Sequence, residues 1–198
     1  MRITISGLPG SGTTTVAKLL SEELSVELIS AGELFRQIAK EKKLPLEHFN
    51  KLAETDDNFD RQIDERQGEE AMKRENVIVE GRLSGFFVPD ADLKIWLKAP
   101  GETRAARIAH REAIAYEEAL SAMNNRERSE NKRYEQYYGV NLADLSTYEL
   151  VIDSSRWSER DIVEMIKMAK GCVKLRKNRR KLDFIYNEKW KMQSAKIK

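Results

Sequence analysis

The sequence predicts an α/β fold built on a parallel sheet. Five short apolar runs, rich in β-branched residues, alternate along the chain with longer segments of helical periodicity. The runs are almost continuously apolar, as expected of strands that are covered on both faces. Strands that alternate with helices in this way are typical of a parallel sheet flanked by helices.

In the first half of the chain, a strand, a loop and a helix come first, over Arg2–Ser6, Gly7–Gly12 and Thr13–Leu24. The strand is apolar and β-branched, glycines mark the loop, and the helix repeats its apolar residues at helical spacing. A second strand, Val26–Ile29, leads to Ser30, which with Glu33 forms a capping-box pattern and predicts a helix to about Lys42. Pro45 suits the first turn of a further helix.

The second half of the chain continues the alternation. Short apolar runs predict the strands Asn76–Glu80, Leu93–Leu97 and Tyr148–Asp153. Helical periodicity predicts the helices Asp60–Arg74, Pro100–Arg111, Ala115–Tyr137 and Ser158–Lys170. The helices over 100–111 and 115–137 are very highly charged, which makes them the unusual elements of the chain.

Length and composition indicate one globular domain. The 198 residues are 40% apolar, enough to fill a single core. The lone cysteine, Cys172, excludes an internal disulfide. No window approaches the roughly 20 apolar residues of a membrane span, and the first residues do not resemble a signal peptide. We therefore expect a cytoplasmic monomer.

The charge is unevenly distributed. Residues 173–198 hold ten basic and two acidic residues, a net charge of +8, whereas residues 1–172 hold 25 basic and 31 acidic residues, a net charge of −6. We predict a domain over 1–172 and a basic extension over 173–198. The extension could contact nucleic acid through its cations. We favour the interpretation in which the extension is a helix packed on the acidic domain through its aromatic residues, or a frayed end.

A glycine-rich segment joins the first strand to the first helix: Gly7, Leu8, Pro9, Gly10, Ser11, Gly12, Thr13, Thr14 and Thr15. This is the context of a P-loop, whose backbone N–H groups and helix N-terminus bind phosphate. Thr14 stands at the hydroxyl position that holds Mg²⁺ in the motif, so we expect ATP and Mg²⁺ to bind here. The alternative is a tight turn that only requires glycine.

Thr13 occupies the position at which the motif has lysine. That lysine normally contacts the β- and γ-phosphates, so its charge must come from elsewhere if phosphate is transferred. Arginine is the natural substitute, because its planar fork matches phosphate oxygens. A loop that binds phosphate without transferring it is the alternative.

Two further segments follow predicted strands and are candidates for an acceptor site: Ser30, Gly32 and Arg36, and then Glu80, Gly81 and Arg82. Ligands of open α/β sheets gather beyond the carboxyl ends of the strands. A carboxylate, a glycine and guanidinium groups there could hold a second phosphate or a base edge. The alternatives are a solvated Arg36 and an ordinary exit from the third strand.

The charged helices carry arginines at helical spacing, which places two sets on common helix faces: Arg104, Arg107 and Arg111, and Arg126, Glu130 and Arg133. One interpretation is a mobile cover that brings arginines onto the phosphates once substrate is bound. The other is an ordinary surface crossed by salt bridges.

Four stretches together resemble cytidylate kinases of the archaeal type, within the nucleoside monophosphate kinase family. They are GLPGSGTTT, ISAGELFRQ, EGRLSGFF and NNRERSENKRYEQYYGVNLADLSTYELVIDSSRWS. The resemblance runs from Gly7 to about Gly171 and includes the threonine in place of lysine. It implies a five-stranded parallel sheet, an acceptor-binding insertion over about 30–75 and a short lid over about 110–135.

The resemblance also implies an activity and roles for residues. ATP and Mg²⁺ would act with CMP or dCMP, giving ADP with CDP or dCDP. Residues 7–15 would bind the donor phosphates, and the acceptor would be held by Ser30, Arg36, Arg61 and Arg82. Arg126 and Arg133 would serve the phosphates and would be catalytic together with Thr13. Glu130 would face the acceptor nucleoside, and Arg104 and Arg107 would be partners of the lid.

Two other functions stay open from the residues alone. The chain could be a P-loop kinase for another acceptor, such as AMP, UMP or a small metabolite. It could also be a P-loop protein that lost catalysis with its lysine and binds RNA through residues 173–198.

Overall fold

The computed structural model describes residues 1–45, 48, 49, 52, 58–173 and 175. The chain divides into two compact units, Met1–Val163 and Glu164–Lys198, which are described separately. Most of the helix expected after Pro45 and most of the basic extension lie outside the described residues. In the second unit, residues 164–173 are helical.

The first unit is built on one parallel sheet of five strands in the order β2-β3-β1-β4-β5. The strands are β1 (Arg2–Gly7), β2 (Glu27–Ser30), β3 (Val77–Glu80), β4 (Leu93–Lys98) and β5 (Leu150–Asp153). Central β1 pairs with β3, with Ile5 opposite Glu80, and with β4 on its other side. The predicted α/β fold is confirmed, and the carboxyl ends of β1 and β3 lie side by side.

Helices cover the sheet and carry the polar residues of the site. They are α1 (Thr13–Leu24), α2 (Ala31–Glu41), α3 (Asn58–Met72), α4 (Ser84–Phe87), α5 (Gly101–Glu112) and α6 (Tyr116–Tyr138). Residues 159–163 of this unit are helical as well. Across the described ranges, none of the helices has the length and apolar character needed to span a bilayer.

Two apolar clusters fix the elements that surround the site. Helices α2 and α3 pack on β2 and β3 through buried residues that include Leu34, Ile63 and Val79. Helices α5 and α6 pack on each other through Ala105, Ile108, Ala119 and Met123. Since burial of a side chain such as Ile108 or Met123 contributes about 1.5–3 kcal/mol, the second cluster holds α6 against α5.

Several details differ from the prediction. Strand β2 begins one residue later and β5 two residues later than predicted, α3 begins and ends two residues earlier, and the short helix α4 was not predicted at all. The capping box at Ser30 is wrong: its side chain makes no capping hydrogen bond and instead donates to Glu80 at 2.8 Å. The hydrogen bond from the Ser30 hydroxyl to the Glu80 carboxylate is charge-assisted. It is therefore stronger than a capping hydrogen bond from a backbone N–H to the same hydroxyl.

Candidate active site

The loop between β1 and α1 turns sharply at two glycines. Gly10 and Gly12 have φ of 78° and 90°, in the left-handed region that glycine adopts without strain. A Cβ at Gly10 would also lie 2.6 Å from the carbonyl oxygen of Arg104. A larger residue at position 10 would therefore strain the turn and push the loop away from α5.

Three successive carbonyl groups of this loop accept hydrogen bonds from side chains outside it: Pro9 from Arg104 at 3.1 Å, Gly10 from Arg107 at 3.3 Å and Ser11 from Ser154 at 2.7 Å. Arg107 also donates to Ser154 Oγ at 3.0 Å, which ties two of these contacts together. With its carbonyls held outward, the loop can offer amide N–H groups to an anion on its inner side.

Glu80, at the carboxyl end of β3, is the centre of the site. Its Oε1 accepts hydrogen bonds from Thr13 at 2.8 Å and Thr14 at 3.2 Å, and its Oε2 accepts one from Ser30 at 2.8 Å. The carboxylate is buried, with only 6% of the residue exposed. One side chain therefore joins the glycine-rich loop to the segment that enters α2. The hydroxyl of Thr13 is committed to this carboxylate.

Gly81 is packed tightly from the side of α3. The buried amide of Gln67 donates to the carbonyl oxygen of Glu80 at 2.7 Å. A Cβ at Gly81 would lie 3.0 Å from Gln67 Oε1 and 3.1 Å from Ala31 Cβ. A side chain at position 81 would therefore press on Gln67 and Ala31, and Gln67 holds the backbone that carries Glu80.

Arg82 connects the same strand end to helix α6. Its Nη1 donates to the carbonyl oxygen of Gly7 at 2.9 Å, and its Nε donates to Glu130 at 3.0 Å. The other oxygen of Glu130 accepts from Arg126 at 2.7 Å. The Glu130 side chain is 5% exposed and that of Arg126 is 63% exposed. Two guanidinium groups thus share one buried carboxylate beside the loop.

The protonation states of this pair follow from their surroundings. Burial by itself would raise the pKa of Glu130, but the charges of Arg82 and Arg126 outweigh it and hold the pKa below its usual range. Burial would lower the pKa of Arg82, but Glu130, Tyr134 and Glu80 outweigh it and raise that pKa. Both groups are therefore charged at neutral pH.

Replacing Glu130 by glutamine should cost about 3 kcal/mol of unfolding free energy at pH 7, because it leaves the largely buried Arg82 without a counter-charge. A carboxyl with a depressed pKa in the folded state stabilises above its unfolded pKa of about 4.3, and this stabilisation is lost as the pH falls through the folded pKa. The difference between the two proteins should therefore shrink below about pH 4. Urea denaturation of the wild type and the variant, at pH 7 and below about pH 4, measures this difference in unfolding free energy.

The matched control for this prediction is Glu135→Gln, which removes an exposed carboxylate from the same helix. It should change the unfolding free energy by less than about 0.5 kcal/mol. If the loss of unfolding free energy in Glu130→Gln were the same at both pH values, Glu130 and Arg82 would not be an ionised pair.

The side chains of three other predicted residues lie near residues four positions away on their own helices. The Nη1 of exposed Arg36 would stand 3.7 Å from a Cβ at Gly32, so this guanidinium folds back toward the start of α2. Arg61 forms a surface ion pair with Glu65 at 2.9 Å. Arg133 donates to Ser129 at 2.5 Å within α6. Glu80, Arg82 and the loop are thus brought together, whereas Arg61 is directed to a neighbour on its own helix.

Two residues of the site were missed by the sequence analysis. Ser154 follows β5 at the carboxyl edge of the sheet, where a ligand site is expected, so its position gave a usable signal. Gln67 lies on a highly charged helix and carries no signal of burial. Arg104 was noted for its spacing, but its contact with the loop could not be predicted from spacing alone.

A glycine-rich phosphate loop, a buried carboxylate on the neighbouring strand and arginine-bearing helices beside them define a P-loop kinase, a phosphotransferase. The chain belongs to the cytidylate kinase-like family, whose model matches residues 2–156. The resemblance found in the sequence is thereby confirmed.

Relatives with the name cytidylate kinase match nearly their whole length. The protein of Methanococcoides burtonii is 50% identical over 169 residues, covering 85% of this chain and 96% of its own. The protein of Methanosphaerula palustris is 49% identical, covering 88% of this chain and 99% of its own. That of Pyrococcus horikoshii is 48% identical, covering 84% and 86%.

Solved structures share the fold at low sequence identity. An uncharacterized protein from Eubacterium ventriosum aligns with a TM-score of 0.65 at 20% identity, covering 85% of this chain and 97% of its own. Shikimate kinase from Bacteroides thetaiotaomicron aligns with a TM-score of 0.60 at 14% identity, covering 86% and 98%. These similarities support the fold alone.

Proposed function

We propose that this protein transfers the terminal phosphate of ATP to CMP, and to dCMP, giving ADP with CDP or dCDP. Its relatives named cytidylate kinase, at about half identity over most of the chain, support this acceptor. The observation that carries the proposal is the Glu80 carboxylate, which joins Thr14 of the donor loop to Ser30 at the entrance of α2. Donor and acceptor segments thus meet at one side chain.

The donor phosphates would bind the amides of residues 7–15 at the N-terminus of α1. Mg²⁺ would be held by the Thr14 hydroxyl and the Glu80 carboxylate, whose oxygens lie 3.2 Å apart. Bound there, the ion would neutralise charge on the phosphate oxygens. The described residues hold no cluster of three or more metal-ligating side chains. That fits an ion which takes one or two protein oxygens and completes its shell with phosphates and water.

The acceptor would lie between β3, α2 and α6. We assign its phosphate to Arg82, with Ser30, Gly32, Arg36, Arg61, Glu80, Gly81 and Glu130 around the nucleotide. In this assignment α2 and α3 belong to the acceptor insertion, over about 30–75, and α6 carries the lid, over about 110–135. Arg126 and Arg133 would move onto the transferring phosphate when the lid closes.

Transfer then requires position and charge rather than proton removal. An oxygen of the acceptor phosphate, already ionised at neutral pH, forms a bond to the γ-phosphorus while the bond to the bridging oxygen of ADP breaks. Arg126, Arg133 and the loop amides stabilise negative charge on the oxygens of the phosphoryl group during its transfer. Arginines thereby supply the positive charge that Thr13, in place of lysine, does not.

An acceptor panel tests the proposal. ADP release is followed with ATP, Mg²⁺ and each of CMP, dCMP, UMP and AMP, and the products are identified by chromatography. We expect CMP and dCMP to give the highest kcat/KM, at least 10-fold above UMP and AMP, about 1.4 kcal/mol of discrimination. A chelator is the control, and it should abolish release.

Fast turnover with AMP and none with CMP would assign another acceptor. Tight ATP binding with no labelled CDP from labelled ATP would favour the RNA-binding alternative. The cytoplasmic location, the monomer and the boundary between 172 and 173 stay predictions.

A further inference from the structure

We infer that Arg104 and Glu127 form a positioning pair that couples the conformation of the phosphate loop to helix α6. The inference rests on the donor role proposed for the loop, and it gives neither residue a contact with the reacting atoms. It assigns a function to two side chains that lie behind the loop.

Arg104 is held by three elements at once. Its residue is 7% exposed, at the start of α5. Its Nε donates to the carbonyl oxygen of Ala99, just after β4, at 3.0 Å, and its Nη1 donates to that of Pro9 at 3.1 Å. The guanidinium also forms an ion pair with the Glu127 carboxylate on α6, and the Glu127 side chain is 17% exposed. The guanidinium thus spans the sheet, the loop and α6.

The Glu127 carboxylate is what keeps this guanidinium in place. A buried cation without a counter-charge is unstable, and it would turn toward water if the carboxylate left. Pro9 would then lose its donor, and its carbonyl could rotate toward the side of the loop where a phosphate binds. A shift of α6 that withdraws Glu127 would have the same effect as removing it.

Helix α6 carries a second contact of the same kind. Three positions further on, Glu130 pairs with Arg82, which donates to the carbonyl oxygen of Gly7 at 2.9 Å. Residues three apart on a helix are neighbours, so both carboxylates project from one side of α6. Helix α6 therefore holds the loop at two carbonyls, one at Gly7 and one at Pro9, each through a buried arginine.

The two ends of this connection are tightly packed. A Cβ at Gly10 would lie 2.9 Å from Arg104 Cβ, so the loop leaves no gap against α5. Arg104 also contacts the sulfur of Met123, a residue of the α5–α6 cluster, at 3.5 Å. A movement of α6 is thus transmitted to the loop rather than absorbed by loose packing.

The test measures ATP binding by calorimetry in the absence of any acceptor, so it does not depend on which acceptor is used. Glu127→Gln keeps the size of the side chain and removes its charge. We expect the Kd for ATP to rise about 10-fold, while the KM for CMP changes less than about 3-fold. Amide hydrogen exchange in the peptide over 8–14 should become faster in the ligand-free protein.

Glu135→Gln is the matched control, with an exposed carboxylate of α6 removed, and should leave both readouts at the wild-type value. Arg104→Lys keeps a charge but loses the fork, and should weaken ATP binding as Glu127→Gln does. Combining the two changes should weaken binding by much less than the product of the single effects, because they break the same contact.

Unchanged ATP affinity and unchanged loop exchange in Glu127→Gln would overturn the inference. The inference would also be overturned if the affinities for ATP and CMP fell equally and in proportion to the melting temperature. A pair that only stabilises the fold would give that result. If ATP binding responds as expected but no CDP forms, the coupling stands and the proposed acceptor fails.

Discussion

Glu80→Gln should lower kcat by about 10²–10³-fold, the loss that follows removal of one well-placed polar group from an active site. An amide in place of the carboxylate offers one acceptor oxygen to three hydroxyl donors, those of Thr13, Thr14 and Ser30. Its NH₂ group would face a hydroxyl that now donates to Glu80, so that hydroxyl would have to turn and accept instead, which rearranges the contacts around the glutamine. The charge proposed to hold Mg²⁺ is lost in the same step.

The measurement is kcat and KM for ATP and CMP across a range of Mg²⁺ concentrations. The variant should need more Mg²⁺ for half-maximal rate, and a wild-type requirement would contradict the assignment of Glu80 to the ion. Glu69→Gln, at an exposed position of α3, is the matched control and should retain wild-type rates. A loss of activity there would point to net charge rather than to the buried carboxylate.

The elements could be predicted from the sequence because each carries a local pattern. The runs at β1, β3 and β4 are apolar and bounded by turn residues, and the structure places them within one or two residues of the prediction. Strand order could not be predicted in this way, since the pairing of β1 with both β3 and β4 joins segments distant in the chain. Helix α4 is four residues long, too short for its periodicity to be recognised.

In the site, too, local features could be predicted from the sequence and long-range contacts could not. The glycine-rich loop is a local motif, so its position could be predicted from spacing and context. The contact between Thr13 and Glu80 depends on the register that sets Ile5 opposite Glu80, and no local signal encodes a register. Glu80 was predicted as an acceptor residue only, and the structure shows that its carboxylate also contacts the glycine-rich loop.

Helix α6 shows why charged segments are hard to interpret. Its sequence fits a solvated surface as well as a functional one, and in the structure some of its charged residues are buried while others are exposed. Glu130 is buried between two arginines, whereas Arg128, two residues before it, is exposed. Only the packing of α6 on α5 decides which charges face the loop. Residue type and spacing alone leave both interpretations open.

Arg126→Ala should lower kcat by about 10³-fold, as expected when an arginine that stabilises charge on a transferring phosphate is removed. Its side chain is 63% exposed and pairs with Glu130, which keeps Arg82 as a second partner. The fold should lose less than about 1 kcal/mol, since Arg126 itself is exposed and Arg82 remains as the counter-charge of Glu130. The Kd for ATP should stay within about 3-fold of wild type, because the contact forms as the lid closes.

Arg128→Ala separates this role from the general positive charge of α6. Both variants remove one arginine from the same helix, but Arg128 lies two residues on and therefore on a different face. We expect Arg128→Ala to keep kcat within about 3-fold of wild type. Arg126→Lys should fall between wild type and alanine, because an ammonium supplies the charge without the planar fork. If both alanine variants lose activity equally, the helix acts through its overall charge and not through Arg126 at the transferring phosphate.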